Sequence, residues 1–363
     1  METNFAALIS SQKLVWSRDV WQAARDMMFV NRFLGGKDNV IQRVTELTKT
    51  EKGEQCIMQL VADLTEDGVQ GDNEREGAEE AMQAYSQIIN IDLLSHGVKN
   101  KGKLADQKTV LDFRTLGKDR LAYWLANRVD QLAFLTMSGI AYSFKNDGGT
   151  RASTTFANLS FAADVSAPST KRSLAWNGTT LETSNTANIT SAYVPSYKMV
   201  VDAVAYAKDH YIRPLMNGGK EYYVAFVKPG TLAALKKDAD YQRAVVGVAT
   251  KSGLDSPWFT GGTVTIDGLV IHEHRLVYST SGTATKWGAS NLVNGTRTLI
   301  CGAQALGMSD LGPPAWAEKE FQYESQQGIN VDKMFGLLKP KFYSIYDGTV
   351  EDFGILTIDH YLA

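Results

Sequence analysis

Apolar residues recur every three to four positions from Asp106 to Ser138, at Phe113, Leu116, Leu121, Trp124, Leu125, Val129, Leu132 and Leu135. No proline interrupts the run and Gly139 follows it. This is the period of one helix face, and a helix over 106–138 would be on the order of 50 Å long. In a chain of this size it would run the length of the fold as a spine. A second helical pattern, with Trp16, Trp21, Ala24, Met28 and Phe29 among charges, predicts an amphipathic helix from Ser17 to Arg32, capped by Ser17 and stopped at Gly35-Gly36. Two tryptophans near a chain end imply docking, on the chain's own core or on a neighbour.

Between these helices the period changes. Residues 54–64 and 82–94 have strand character, with Cys56 to Val61 and Ile88 to Leu93 as their apolar centres. The segment joining them, 63–80, carries Asp63, Glu66, Asp67, Asp72, Glu74, Glu76, Glu79 and Glu80 against Arg75 alone. Two strands with a long acidic, glycine-bearing tip predict a hairpin projecting from the body. Just beyond it, 99–120 is basic, with Lys99, Lys101, Lys103, Lys108, Arg114, Lys118 and Arg120 against three aspartates. An acidic tip and a basic stem in one chain suggest pairing between copies. The acidic residues Asp63, Asp67, Asp72, Glu74, Glu76, Glu79 and Glu80, the lysines 99, 101, 103 and 108, and Trp16 and Trp21 are the candidate subunit contacts.

Composition shifts at residue 150. Ser and Thr supply 16 of the 43 residues from 150 to 192, which reads as an irregular surface insertion outside the core. From 193 to 318 helices and strands alternate. Ser196 is placed to cap a helix through Ala207. Strands are expected at Tyr222–Val227, Thr263–Ile266, Leu269–Val277 and Thr298–Gly302, with short helices at Thr231–Lys237 and Tyr241–Ala249. The last strands, Phe342–Tyr346 and Gly354–Tyr361, read as returning to the first domain's sheet. The organisation expected is therefore an arm and helix (1–50), an extended loop (51–96), a first domain with the spine helix (97–149), the insertion (150–192), a second domain (193–318) and return strands (319–363).

Length and charge narrow the function. At 363 residues, 44% hydrophobic and 10% aromatic, the chain is long enough for two or three structural units and apolar enough to fold. A net charge of −3 argues against a dedicated nucleic-acid binder. Cys56 and Cys301 are the only cysteines, so a disulfide framework is excluded and buried thiols in a reducing compartment are expected. No apolar run is long enough to span a membrane, and Met1-Glu2-Thr3-Asn4 has no signal-peptide pattern. Synthesis in a cytoplasm is the expectation.

Candidate chemistry is sparse. Gly35-Gly36-Lys37 continues into Asp38 and Gly218-Gly219-Lys220 into Glu221, where a phosphate loop needs Ser or Thr. Counted from Asp67, a calcium loop would place oxygen ligands at Val69 and Gly71. His272-Glu273-His274 could turn two imidazoles to one face of a strand. With no further ligand cluster in the sequence, a polar strand face or subunit contact is the better expectation. No nucleophile elbow or Cys/His pair is recognisable. Neither a catalytic site nor a cofactor or metal is expected.

Longer stretches carry a resemblance. Phe33 to Lys49 (FLGGKDNVIQRVTELTK), Leu60 to Leu64 and Gly68 to Asn73, then Gln107 to Val110, Trp124 to Asp130, Phe259 to Gly261, Val270 to His274 and Asp352 to Asp359, resemble the N4-like phage major capsid protein family. The matches run in order over nearly the whole chain, and the 150–192 segment shows none. The resemblance implies an α+β, HK97-like shell fold with an N-terminal arm, an extended β-hairpin loop, a peripheral domain with a spine helix, and an axial α/β domain. It implies a structural protein, not an enzyme, that self-assembles through hexamers and pentamers into an icosahedral virion shell enclosing double-stranded DNA. The partners implied are copies of itself, with scaffold, portal and decoration proteins and weak non-specific contact with the DNA. A nanocompartment shell of the same fold is one alternative. A carbohydrate-active enzyme, suggested by the tryptophans, tyrosines and the Ser/Thr-rich segment, is the other.

Overall fold

A computed structural model describes residues 10–44, 55–61, 64, 67–71, 76, 79–80, 84–103, 113–243, 263–283, 285–344 and 346–362. Helix α1 (Ser10–Met27) begins seven residues before the expected Ser17 and stops five before Arg32. It buries Val20, Trp21, Ala24 and Met28, spaced as one helix face. The early stop has a tertiary cause. The Asp130 carboxylate accepts the backbone N–H groups of Phe29 (3.0 Å) and Val30 (3.1 Å), so the chain leaves the helix where an outside acceptor replaces the helical one. A 3₁₀ turn, Val30–Phe33, follows. Next come β1 (Leu34–Gly35), β2 (Ile41–Val44), β3 (Gln55–Val61), β4 (Ala84–Asn90) and β5 (Asp92–Lys99).

The spine helix α2 spans Phe113–Ser138, 26 residues or about 39 Å. The residues expected to extend it, 104–112, lie outside the described part. It changes character along its length. Early on Leu121, Leu125 and Val129 are buried between exposed positions, whereas every residue from Leu132 to Ser138 is buried. Gly139 ends it at φ 67°, where an added Cβ would lie 2.5 Å from the Ser166 carbonyl oxygen. Only glycine fits that stop.

The rest of the chain supplies β6 (Ser173–Trp176), β7 (Leu181–Thr183), α3 (Tyr197–Asp209), β8 (Leu215–Asn217), β9 (Lys220–Val227), α4 (Pro229–Lys237), β10 (Thr263–Ile266) and β11 (Leu269–Glu273). Then follow β12 (Gly295–Cys301), β13 (Leu306–Asp310), β14 (Ala315–Phe321), β15 (Gln326–Leu338), β16 (Lys341–Ser344), β17 (Thr349–Asp352) and β18 (Ile355–Tyr361). One sheet runs β1-β2-β13-β15-β14, with β5 on the other side of β15. A larger sheet runs β10-β11-β9-β12-β18-β6-β7, with β8 beside β9. The β3–β4 and β16–β17 pairs stand apart as two-stranded sheets.

Alternation along the central strands divides the interior. Val224 and Phe226 of β9, with Leu299 and Cys301 of β12, face the α2 core. Tyr223, Ala225, Val227 and Ile300 face a second core closed by α3 and α4. Period-two side-chain direction thus gives one sheet two apolar faces.

Three expectations are corrected. The 150–192 segment is not a surface insertion. Phe161, Trp176 and Ile189 are fully buried, and β6 pairs in parallel with β18; a few large apolar residues do the packing within a Ser/Thr-rich composition. The last strand does not return to the first sheet. β18 lies between β12 and β6, buried on both faces, with Leu356 and Ile358 on one and Asp359 paired to Arg297 on the other, and β15 instead returns to pair with β5. The 193–318 stretch does not form one unit either, since β13 and β14 belong to the first sheet. Of the helix expected at 241–249, residues 239–243 are helical and the remainder lies outside the described residues. Ser196 stands at the N-cap of α3, yet the Tyr197 N–H is taken by Asp238 at 2.6 Å.

Charged pairs are sealed between these layers. Arg297 and Asp359 are cross-strand neighbours of β12 and β18, joined in a two-pronged pair at 2.7 and 2.9 Å. A third nitrogen of Arg297 donates to the Ser138 carbonyl at 2.6 Å, placing a cation at the carboxyl end of α2. Asp310 receives Arg25, Arg43 and Lys333, tying α1, β2, β13 and β15 together. Arg297→Met leaves Asp359 buried without its partner. The expected loss is about 3–5 kcal/mol of subunit stability by urea unfolding, with most of it recovered when Asp359→Leu is added. An unchanged unfolding midpoint in the single variant would contradict the role given to this pair.

Candidate functional site

The β3–β4 hairpin packs on the body through one face alone. Its inner face, Cys56, Met58, Leu60 and Ile89, packs on Val44 and Leu338 as a small separate core. Cys56 also lies 3.0 Å from the Ser309 hydroxyl, and both it and Cys301 are buried free thiols. On the outer face Ile57 and Ile88 stand directly opposite each other in register, 47% and 49% exposed. Two β-branched side chains paired across a ladder and half exposed form an apolar strip that is left uncovered among the described residues.

Of the acidic candidates on the tip, Asp67, Glu76 and Glu79 are exposed and Glu80 is half-buried. Asp63, Asp72 and Glu74 lie outside the described residues. Among the basic candidates Lys99, Lys101 and Lys103 are exposed, and Lys108 lies outside. The stem is partly engaged within its own chain. Arg114 forks onto Glu318 (2.9–3.1 Å), Lys118 meets Asp19 at 3.2 Å, and the Lys99 ammonium sits 4.6 Å from the Phe321 ring centre. Trp21 docks on its own core, with the Lys333 ammonium 3.9 Å from its ring centre. The side chain of Trp16 lies outside the described part.

His272 and His274 depart from the expected polar strand face. They enter an aromatic cluster with Phe29, Phe33, Phe134 and Phe226. His274 is stacked 4.3 Å from Phe29 and 5.0 Å from Phe134, and His272 meets Phe33 edge-on at 5.1 Å. The reason is position. β11 runs beside β9, whose Phe226 already faces the end of α2. Burial, reinforced by Arg275, pushes the His274 imidazole down to about 4, and burial with Arg32 lowers His272. Among the described residues no group of His, Cys, Asp and Glu gathers as metal ligands.

Sequence reading missed a groove of about 650 Å³ between the tip-side end of β3 and the end of α3, lined by Val61, Tyr211, Pro214, Phe342, Tyr346 and Phe353. Tyr211 and Tyr346 stack across its edge at 3.6 Å. Residues 135 positions apart give no local signal of such a contact. The available chemistry is thus apolar strips, exposed charges and buried ion pairs. These are suited to binding surfaces.

The family described as phage capsid protein matches residues 9–363. The major capsid protein of Pseudomonas phage KPP25 is 48% identical over 364 residues, covering 98% of this chain and 96% of the relative. Among solved structures, the capsid of Ralstonia phage GP4 is 25% identical, covers 92% of this chain and 91% of its own, and superposes with a TM-score of 0.77. The capsid of Cyanophage Pam1 is 16% identical and covers 100% and 96%, with a TM-score of 0.71. The fold is the HK97-like one expected from the sequence.

The aromatic cluster sets an acid response. A histidine held near 4 when folded and near 6.5 when unfolded binds fewer protons in the fold between those values. Its stabilising contribution is present above pH 6.5 and is lost as pH falls towards 4. His274→Phe keeps a ring in the stack and removes the proton site. Relative to the parent chain, the variant is expected to gain up to about 2 kcal/mol as pH drops from 6.5 to 4, read by urea unfolding. Burial raises Asp130 to about 6, which gives the opposite slope in both proteins and cancels in the difference. A pH-independent difference would rule out the titration of His274.

Proposed function

The chain belongs to the phage capsid protein family, and from that premise we propose how its copies join. It is a structural shell protein of a phage virion. In our reading the copies form hexamers and pentamers that close into an icosahedral shell around double-stranded DNA, each subunit laying its β3–β4 hairpin over a neighbour. The observation that carries this is the exposed Ile57–Ile88 strip beneath an acidic tip. Apolar area of that kind gains free energy when covered, and the tip charges favour the basic 99–120 stretch of a neighbour as cover.

Permanent assemblies bury more than roughly 2,000 Å² per contact, yet closure lets individual contacts stay weaker, because each subunit is held by several at once. The net charge of −3 suits a container whose genome is packed and later released, since tight phosphate binding would oppose both. Scaffold and portal proteins, with a decoration protein outside, complete this reading, and the host cytoplasm is where assembly would take place.

Expression of the chain alone, followed by gradient sedimentation and negative-stain imaging, tests the reading. Closed particles, sheets, tubes or free capsomers are the expected products, and a monomer at every concentration and salt would refute it. Replacing Glu74, Glu76, Glu79 and Glu80 by Gln is expected to lower assembly yield several-fold at low salt. The effect should shrink above roughly 0.15 M, where the Debye length falls to about 8 Å. Equal yields at low salt would make the tip a solvated face.

A further inference from the structure

The turn joining β14 to β15 has a backbone that its residues do not favour. Gln322, Tyr323 and Glu324 all have positive φ, at 51°, 53° and 62°. The left-handed region crowds the Cβ of any residue except glycine, and it is normally visited singly. Three such residues in succession, none of them glycine, hold an aromatic ring at the apex of a hairpin. Tyr323 is fully exposed there, at 103% of its reference area. Strained backbone that presents a large ring to solvent points to a contact made outside the chain.

The same hairpin offers a receptor. A pocket of about 210 Å³, room for one phenol ring, is lined by Arg114, Glu318, Lys319, Glu320, Gln327, Gly328 and Ile329. It depends on glycine, since a Cβ at Gly328 would lie 2.7 Å from the Phe321 ring. Phe321 is flanked by the ammonium groups of Lys99 (4.6 Å) and Lys319 (5.3 Å). The Lys99–Lys101 segment is laced to this base, as Asn100 donates to the Gln327 carbonyl at 2.9 Å and Gln326 to that of Lys101 at 3.0 Å. The base of the hairpin therefore sets the exposed ammonium groups of Lys99, Lys101 and Lys319 against the single carboxylate of Glu320, Arg114 and Glu318 being paired with each other, and its apex carries a ring beside the exposed carboxylate of Glu324. The full exposure of Tyr323 means that it does not occupy its own pocket.

We propose that Tyr323 seats in the Arg114–Gly328 pocket of a second copy, with Glu324 facing that copy's Lys99, Lys101 and Lys319. Knob and hole lie at different places on the chain, so the contact is head-to-tail and closes into a ring where the rotation permits. The inference rests on the self-assembly reading above and adds to it a surface distinct from the β3–β4 hairpin.

Two measurements test it. With p-benzoylphenylalanine at position 323, irradiated particles are expected to give dimer-sized products whose cross-linked peptides contain Arg114 or residues 318–329. Cross-links elsewhere, or none in assembled particles, overturn the proposal. Tyr323→Gly removes the ring and relieves the backbone. It is expected to leave the melting temperature of the unassembled chain equal or higher while cutting assembly yield at least tenfold, and Tyr323→Phe should assemble nearly as well as the parent. Parent-like assembly of the glycine variant, or a lowered melting temperature marking a merely structural tyrosine, would also overturn it. Failure of the parent chain itself to assemble would instead sink the self-assembly reading, and this contact with it.

Discussion

The carboxyl half of α2 is surrounded on all sides, and the two sheets are arranged by the need to cover it. From Leu132 to Ser138 no residue reaches solvent. A helix buried all round must have apolar neighbours in every direction. The small sheet supplies them through β13 and β15, the large one through β9 and β12, and α1 closes part of the remaining side. Where the helix stops, its last carbonyls would be buried unsatisfied. Arg297 answers one of them and is itself neutralised by Asp359. Helix, strand register and buried charge are thus fixed by one constraint.

Legibility in the sequence followed the range of the interactions. The 3.6-residue rhythm of α2 from Phe113 on, the strand character of β3 and the apolar run of β9 are local signals and lie where the pattern put them. The strand expected over 82–94 instead divides at Ile91 into β4, which pairs with β3, and β5, which joins the sheet of β15. The start of α1 was not legible, nor was its end, because the acceptor that ends it is Asp130, a hundred positions away. The sheet of β18 was not legible, since the partner that lets its Asp359 be buried is Arg297, sixty-two positions away. In the 150–192 segment composition outweighed position, and Phe161 and Trp176 were lost among serines and threonines.

The surfaces were legible only in part. Charge runs marked the hairpin tip and the stem, which are exposed where described. The apolar pair Ile57–Ile88 and the apex Tyr323 were not singled out, because exposure is a property of the finished fold. The His272–Glu273–His274 triplet, expected as a polar strand face or subunit contact, is placed among rings by its strand neighbour Phe226. What resembled chemistry in the sequence is packing in the structure, and the features that can hold copies together arise where the chain fails to cover itself.

The small core under the β3–β4 hairpin has a mechanical consequence. Among the described residues the core beneath the hairpin has six buried members, Val44, Cys56, Met58, Leu60, Ile89 and Leu338, with Gln87 bonded to Lys341 and Asn90 to Asp164 beside it, while each large core contains many more. Stiffness in a packed interior scales with the number of interlocked side chains. The subunit is therefore a rigid plate with a compliant flange. A bending load between adjoining plates is taken up at the flange root, and the two sheets are spared the deformation.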